Sequence, residues 1–175
     1  VTKDQVATVM NDQPVGSSIE ILLVEDSPSD AYLLTRYFRQ RNNPNSSDST
    51  NLSDSTDRSI TQCQIHWVQD GESALDYLHQ RGDYAAVQLP RLILLDLNLP
   101  GLDGCEVLAH IKTDPILKKI PVIILTTSSS EVDILRAYDL HTNCYITKPT
   151  NLAEFSEVYA TINHFWLSMV QLPNL

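Results

Sequence analysis

The stretch Leu92-Ile93-Leu94-Leu95-Asp96-Leu97-Asn98-Leu99-Pro100-Gly101-Leu102-Asp103-Gly104 runs four apolar residues straight into an acid, then Asn, then Pro-Gly. Four apolar side chains in a row, with no polar alternation, predict a strand buried on both faces, as in parallel sheets. A carboxylate at the end of such a strand is costly to desolvate. Asp96 therefore needs positive charge nearby, and the rest of the chain has to supply it.

Four further strand-like runs flank this one, at 20–24, 64–68, 121–125 and 144–147. Each run, like 91–95, is followed by a helical pattern. The first helix opens at Asp26-Ser27-Pro28, with Ser27 as N-cap, Pro28 at the first helical position, and Ala31, Leu34 and Phe38 at helical spacing. The next helices are expected over 71–80, 105–112 and 130–140. A last one is capped by Asn151 and reaches about Val170. Strand-then-helix repeats with continuous apolar strands predict an α/β fold: a doubly wound, five-stranded parallel sheet of order 2-1-3-4-5. One domain is expected over 19–170. Residues 1–18 read as a flexible tail and 171–175 as a short C-terminal tail. The stretch 42–59 (NNPNSSDSTNLSDSTDRS) carries almost no apolar side chain and reads as a flexible insertion.

The balance of 12 basic against 22 acidic residues, a formal net charge of −10, argues against a nucleic-acid partner. No run of about 18 apolar residues predicts a membrane span, and 1–18 has no signal-peptide pattern, so a cytoplasmic protein is expected. Three cysteines without a CxxC pair read as free thiols in a reducing compartment. Neither a G-x-x-x-x-G-K-[ST] loop nor a G-x-G-x-x-G turn is present, which leaves nucleotide binding unsupported.

In a sheet of this order, ligands sit at the carboxyl ends of the strands beside the first one. There the sequence places Glu25-Asp26 after strand 1, Asp96 after strand 3, Thr126 at the end of strand 4 and Lys148-Pro149 after strand 5. Each of these residues alone could be a turn former, a helix cap or a solvated side chain. Together, at one edge of the sheet, they point to chemistry. Two like charges ~4 Å apart repel by about 4 kcal/mol at an effective dielectric near 20. Three carboxylates therefore call for Lys148 and a divalent cation, and all-oxygen ligation suits Mg²⁺. Such a pocket fits phosphoryl transfer, with Asp96 as nucleophile. Glu25, Asp26, Asp96 and the backbone carbonyl of Asn98 would hold the metal. Lys148 and the Thr126 hydroxyl would meet phosphoryl oxygens.

The runs LLVEDS (22–27), LILLDLNLPGLDG (92–104), PVIILTTS (121–128) and YITKP (145–149) resemble the receiver domains of two-component response regulators. The resemblance implies a flavodoxin-like receiver fold, and a phosphoacceptor Asp96 that takes its phosphoryl group from a histidine kinase in a Mg²⁺-dependent reaction. It also implies a switch through Thr126 and Tyr145 acting on the helix 4–strand 5–helix 5 face, Asn98 and Ser128 as positions that tune phosphoryl lifetime, and a cis bond before Pro149. Such a domain is not an enzyme beyond slow self-dephosphorylation.

A finer resemblance, in YDLHTNCY (138–145) and HFWL (164–167), is to the stand-alone regulators partnered with cyanobacterial phytochromes. It implies a light-regulated kinase as donor and a homodimer. A Mg²⁺-dependent phosphatase passing through an aspartyl phosphate, and a phosphorylation-independent scaffold, remain the alternatives at the level of sequence.

Overall fold

A computed structural model describes residues 18–41 and 63–175. The tail expected over 1–18, apart from Ser18, and the insertion expected over 42–59 lie outside the described residues. The strands are β1 (Ile19–Val24), β2 (Cys63–Val68), β3 (Leu92–Leu95), β4 (Val122–Thr126) and β5 (Cys144–Thr147). They form one parallel sheet of order β2-β1-β3-β4-β5, as the repeat pattern predicts. The helices are α1 (Pro28–Arg41), α2 (Gly71–Leu78), α3 (Gly104–Thr113), α4 (Glu131–Asp139) and α5 (Leu152–Ile162).

The layering follows from side-chain alternation. Every residue of β1, β3 and β4 is buried, while the edge strands β2 and β5 are only partly covered. Successive residues of a strand point to opposite faces. Leu22, Val24, Ile93 and Leu95 accordingly join Tyr77 of α2, Leu108 of α3 and Ala137 of α4. Ile21, Leu23, Leu92 and Leu94 join Leu34 and Phe38 of α1 and Tyr159 of α5. The one acid inside a buried strand, Glu20, is met by the His66 ring at 2.7 Å and by the Ser18 hydroxyl at 2.7 Å.

Helix starts agree with the cap residues in the sequence. Ser27 accepts from the Asp30 N–H, and Asn151 accepts from the Glu154 N–H at 2.9 Å. At α3, Asp103 and Glu106 form a reciprocal capping box. Two features differ from expectation. The final helix is α-helical only to Ile162 and then widens into a π-helical segment, Asn163–Met169. This segment buries Leu167 while leaving Phe165 and Met169 exposed. Beyond it Leu172 packs into the core layer shared with α1 and α5, and the Arg91 guanidinium donates to the Leu172 and Pro173 carbonyls. The second difference is at Pro149. No cis peptide occurs among the described residues, so the expected cis bond is a trans bond, the lower-energy state for X–Pro. Among the described residues, no helix is long and apolar enough to cross a membrane.

Candidate functional site

Backbone pairing brings the strand ends together. The Asp96 N–H donates to the Val24 carbonyl at 3.0 Å, the Glu25 N–H to the Val68 carbonyl at 3.0 Å, and the Lys148 N–H to the Thr126 carbonyl at 2.7 Å. These ladder bonds set the side chains of Glu25, Asp96, Thr126 and Lys148 at the carboxyl edge, all of them buried. Asp26, one residue past Glu25, is exposed. The β3–α3 turn closes tightly under the acid. A Cβ on Gly104 would lie 2.1 Å from the Asp96 carbonyl oxygen, so only glycine fits there. Gly101 supplies a positive φ of 73° in the same turn.

The Lys148 ammonium is the hub. It donates to Asp96 Oδ2 at 2.6 Å, to Glu25 Oε2 at 2.6 Å and to Asp30 Oδ2 at 3.1 Å. Asp30 had no part in the sequence reading. An acid in the first turn of a helix ordinarily answers the helix dipole, and nothing in its spacing marks it for the site. The other Asp96 oxygen, Oδ1, accepts from the Asn98 N–H at 3.0 Å. The Asn98 side-chain amide crosses to β4 and donates to Thr126 Oγ1 and Thr127 Oγ1, each at 3.2 Å. Tyr145 is half-buried against the core layer shared with α2, α3 and α4, and its hydroxyl donates to the Ser128 carbonyl at 3.0 Å. The Ser128 hydroxyl in turn donates to Asp133 on α4 at 2.5 Å. Glu25, Asp96, Asn98, Thr126, Ser128, Tyr145 and Lys148 thus lie in one connected region.

One ammonium does not neutralise this many carboxylates. Burial pushes the Glu25 carboxyl up to about 7, even though the hydrogen bond and charge of Lys148 pull it down. Burial works against the Lys148 ammonium too, but its hydrogen bonds to Asp96 and Glu25 and their charges outweigh that and raise its proton affinity overall. The lysine stays charged, and the acids have room for more positive charge. One carboxylate oxygen each from Glu25, Asp26 and Asp96 lies within 4.8 Å of the others, close enough to share an ion directly or through its waters. An oxygen-only donor set with excess negative charge fits a hard divalent cation.

Residues 48–160 match the response regulator receiver domain family. The chain belongs to that family. The match begins beyond β1, but full-length relatives extend across it. Response regulator Rcp1 of Synechocystis sp. is 42% identical over 153 residues, spanning 87% of this chain and 92% of its own. The solved structure of the phosphorylated cyanobacterial phytochrome response regulator RcpA is 43% identical, with a TM-score of 0.77 over 90% of this chain and 100% of that one. The Mn²⁺-bound form of Rcp1 gives 41% identity and a TM-score of 0.74, over 89% of this chain and 99% of that one. As a receiver, the chain is a phosphoacceptor module rather than an enzyme in the usual sense, and its acidic cluster is a divalent-cation site.

Proposed function

We propose that this receiver, spanning 19–170 with 42–59 as an insertion, takes a phosphoryl group onto Asp96 from a histidine kinase of the phytochrome type, with Mg²⁺ as the cation. The observation that carries this is the Asp96 carboxylate, held at the end of a rigid buried strand, 2.6 Å from Lys148 and grouped with Glu25 and Asp26. An Asp96 oxygen attacks phosphorus, the P–N bond of the phosphohistidine breaks, and the imidazole nitrogen leaves with the electron pair. Asp26 faces solvent and would hold the cation. Glu25 would ligate it or hold its waters, and the Asn98 carbonyl would add a neutral oxygen. When bound, Mg²⁺ supplies positive charge at the phosphoryl oxygens. Lys148 donates to one phosphoryl oxygen, and the Thr126 hydroxyl, until then held by Asn98, donates to another.

The switch then runs through β4. Thr126 moves toward the phosphoryl group, and Tyr145 gives up its bond to the Ser128 carbonyl and turns into the vacated space. Ser128 also holds Asp133, so α4 responds. The face that changes carries exposed Val132, Leu135 and Tyr138 on α4. Together with exposed Phe165 and Met169, it supports a homodimer through α4, β5 and α5.

The phytochrome-type donor is supported by the 43% identity to a cyanobacterial phytochrome regulator. The test is transfer from a phosphorylated phytochrome-type kinase to the wild-type chain and to Asp96→Asn. Transfer to wild type alone is expected. Label persisting in Asp96→Asn removes Asp96 from this role, and transfer from unrelated kinases at the same rate removes the phytochrome assignment. Sedimentation with and without a phosphate mimic tests the dimer, which a monomer in both states would refute.

A further inference from the structure

An ammonium has three N–H groups, and in Lys148 three carboxylates take all of them. Two of these acids have assigned work, Asp96 as acceptor and Glu25 at the cation. Asp30 has none. Its side chain is 29% exposed, against 4% for Asp96 and 1% for Glu25, yet it turns inward to Lys148 instead of into solvent. Its backbone is fixed by the Ser27 cap at the start of α1. Behind it, the fully buried Tyr159 hydroxyl has no hydrogen-bond partner among the described residues. Burial and then the charge of Asp30 raise the proton affinity of that phenol.

We propose that Asp30 is a positioning residue for phosphoryl transfer: with Glu25 it tethers the Lys148 ammonium while the N–H now directed at Asp96 turns to the incoming phosphoryl oxygen. This rests on the reading of Asp96 as acceptor. When the Asp96 oxygen–phosphorus bond forms and the donor's P–N or P–O bond breaks, the leaving group takes the electron pair. The Asp96 carboxylate becomes an acyl phosphate, and its charge moves out to the phosphoryl oxygens. One N–H of Lys148 loses its acceptor at that moment and has to find the new one. Lysine is a point charge on a flexible stem, and two remaining anchors hold it where one would let it swing. Asp30 also adds a negative charge at the mouth of the site, which repels an anionic donor. Tethering and repulsion act on different constants: tethering raises the maximal rate, and repulsion raises KM.

The test is the initial rate of Asp96 phosphorylation by acetyl phosphate at saturating Mg²⁺, followed by intact mass, for wild type, Asp30→Asn, Asp30→Ala and Asp30→Glu. Asp30→Asn and Asp30→Ala are expected to lower the maximal rate about tenfold, with KM unchanged or lower, and Asp30→Glu to restore most of it. Thermal midpoints and Mg²⁺ affinities close to wild type separate this from a folding defect. An unchanged maximal rate with only a lower KM overturns the proposal, because Asp30 is then a repelling charge alone. Equal loss in Asn and Glu variants overturns it as well. Wild type that labels at Asp96 while the Asp30 variants behave as wild type removes this proposal only. Wild type that labels elsewhere removes the acceptor assignment beneath it.

Discussion

With Glu25 at the proposed cation site, cation binding is expected to depend on pH, and the size of the effect follows from the environment of this carboxyl. Burial raises this carboxyl to about 7. A protonated Glu25 neither ligates a cation nor contributes charge to its seat, so cation binding has to expel that proton. With one proton displaced, the apparent dissociation constant scales as 1 + 10^(pKa − pH), a factor of about 1.1 at pH 8 and about 11 at pH 6. Mg²⁺ affinity is therefore expected to fall about tenfold between pH 8 and pH 6. The metal-free fold responds in the opposite direction. The folded value lies above the ordinary carboxyl value of 4.5, so the native state binds more protons between the two. The contribution of Glu25 to stability is fully present below about 4.5 and is lost as pH rises through about 7, on the order of 3 kcal/mol in total. Trp67 provides the assay: its ring is partly exposed and its indole N–H donates to the Glu25 carbonyl at 2.8 Å. Mg²⁺ titrations followed by its fluorescence in a Trp166→Phe background, from pH 6 to pH 8, give the slope. Glu25→Gln should flatten it and bind more weakly at pH 8, while melting higher than the parent without metal at that pH. An affinity in the parent that does not change between pH 6 and pH 8 would refute the reasoning.

Other outcomes follow from the same geometry. Gly104→Ala places a methyl 2.1 Å from the Asp96 carbonyl oxygen and 2.6 Å from Leu97 Cα, both backbone atoms that cannot yield cheaply. It should cost roughly 2–4 kcal/mol in denaturant unfolding and slow phosphorylation of whatever folds, and a loss below about 0.5 kcal/mol contradicts the close approach. Tyr145→Trp in a Trp67→Phe, Trp166→Phe background should change its fluorescence on phosphorylation, because the half-buried ring at this position turns into a new environment; an unchanged spectrum in a fully phosphorylated sample counts against the switch.

The fold was legible because its evidence is local and redundant. The apolar runs at β1, β3 and β4 lack alternation, and that alone demands a sheet covered on both sides. The acids and the lysine could be grouped because strand order places their strands side by side. The remainder depended on contacts that no spacing encodes. Asp30 looked like an ordinary first-turn acid, and only the reach of Lys148 across the sheet edge gives it a partner. The π-helical widening after Ile162 changes which residues face the core: Phe165 points outward while Leu167 and Leu172 pack inward, a pattern that a regular 3.6-residue period does not predict. The Arg91 clamp on the Leu172 and Pro173 carbonyls joins residues some eighty positions apart.

In the proposed chemistry the acid ending LILL is the group that reacts. Treating the chain with acetyl phosphate and Mg²⁺, reducing with borohydride and mapping the product by peptide mass spectrometry tests this. One phosphoryl group per chain is expected, located at Asp96, formed only with a divalent cation and absent from Asp96→Asn. Label at another residue, or label that forms on Asp96 with the metal chelated throughout, would contradict it.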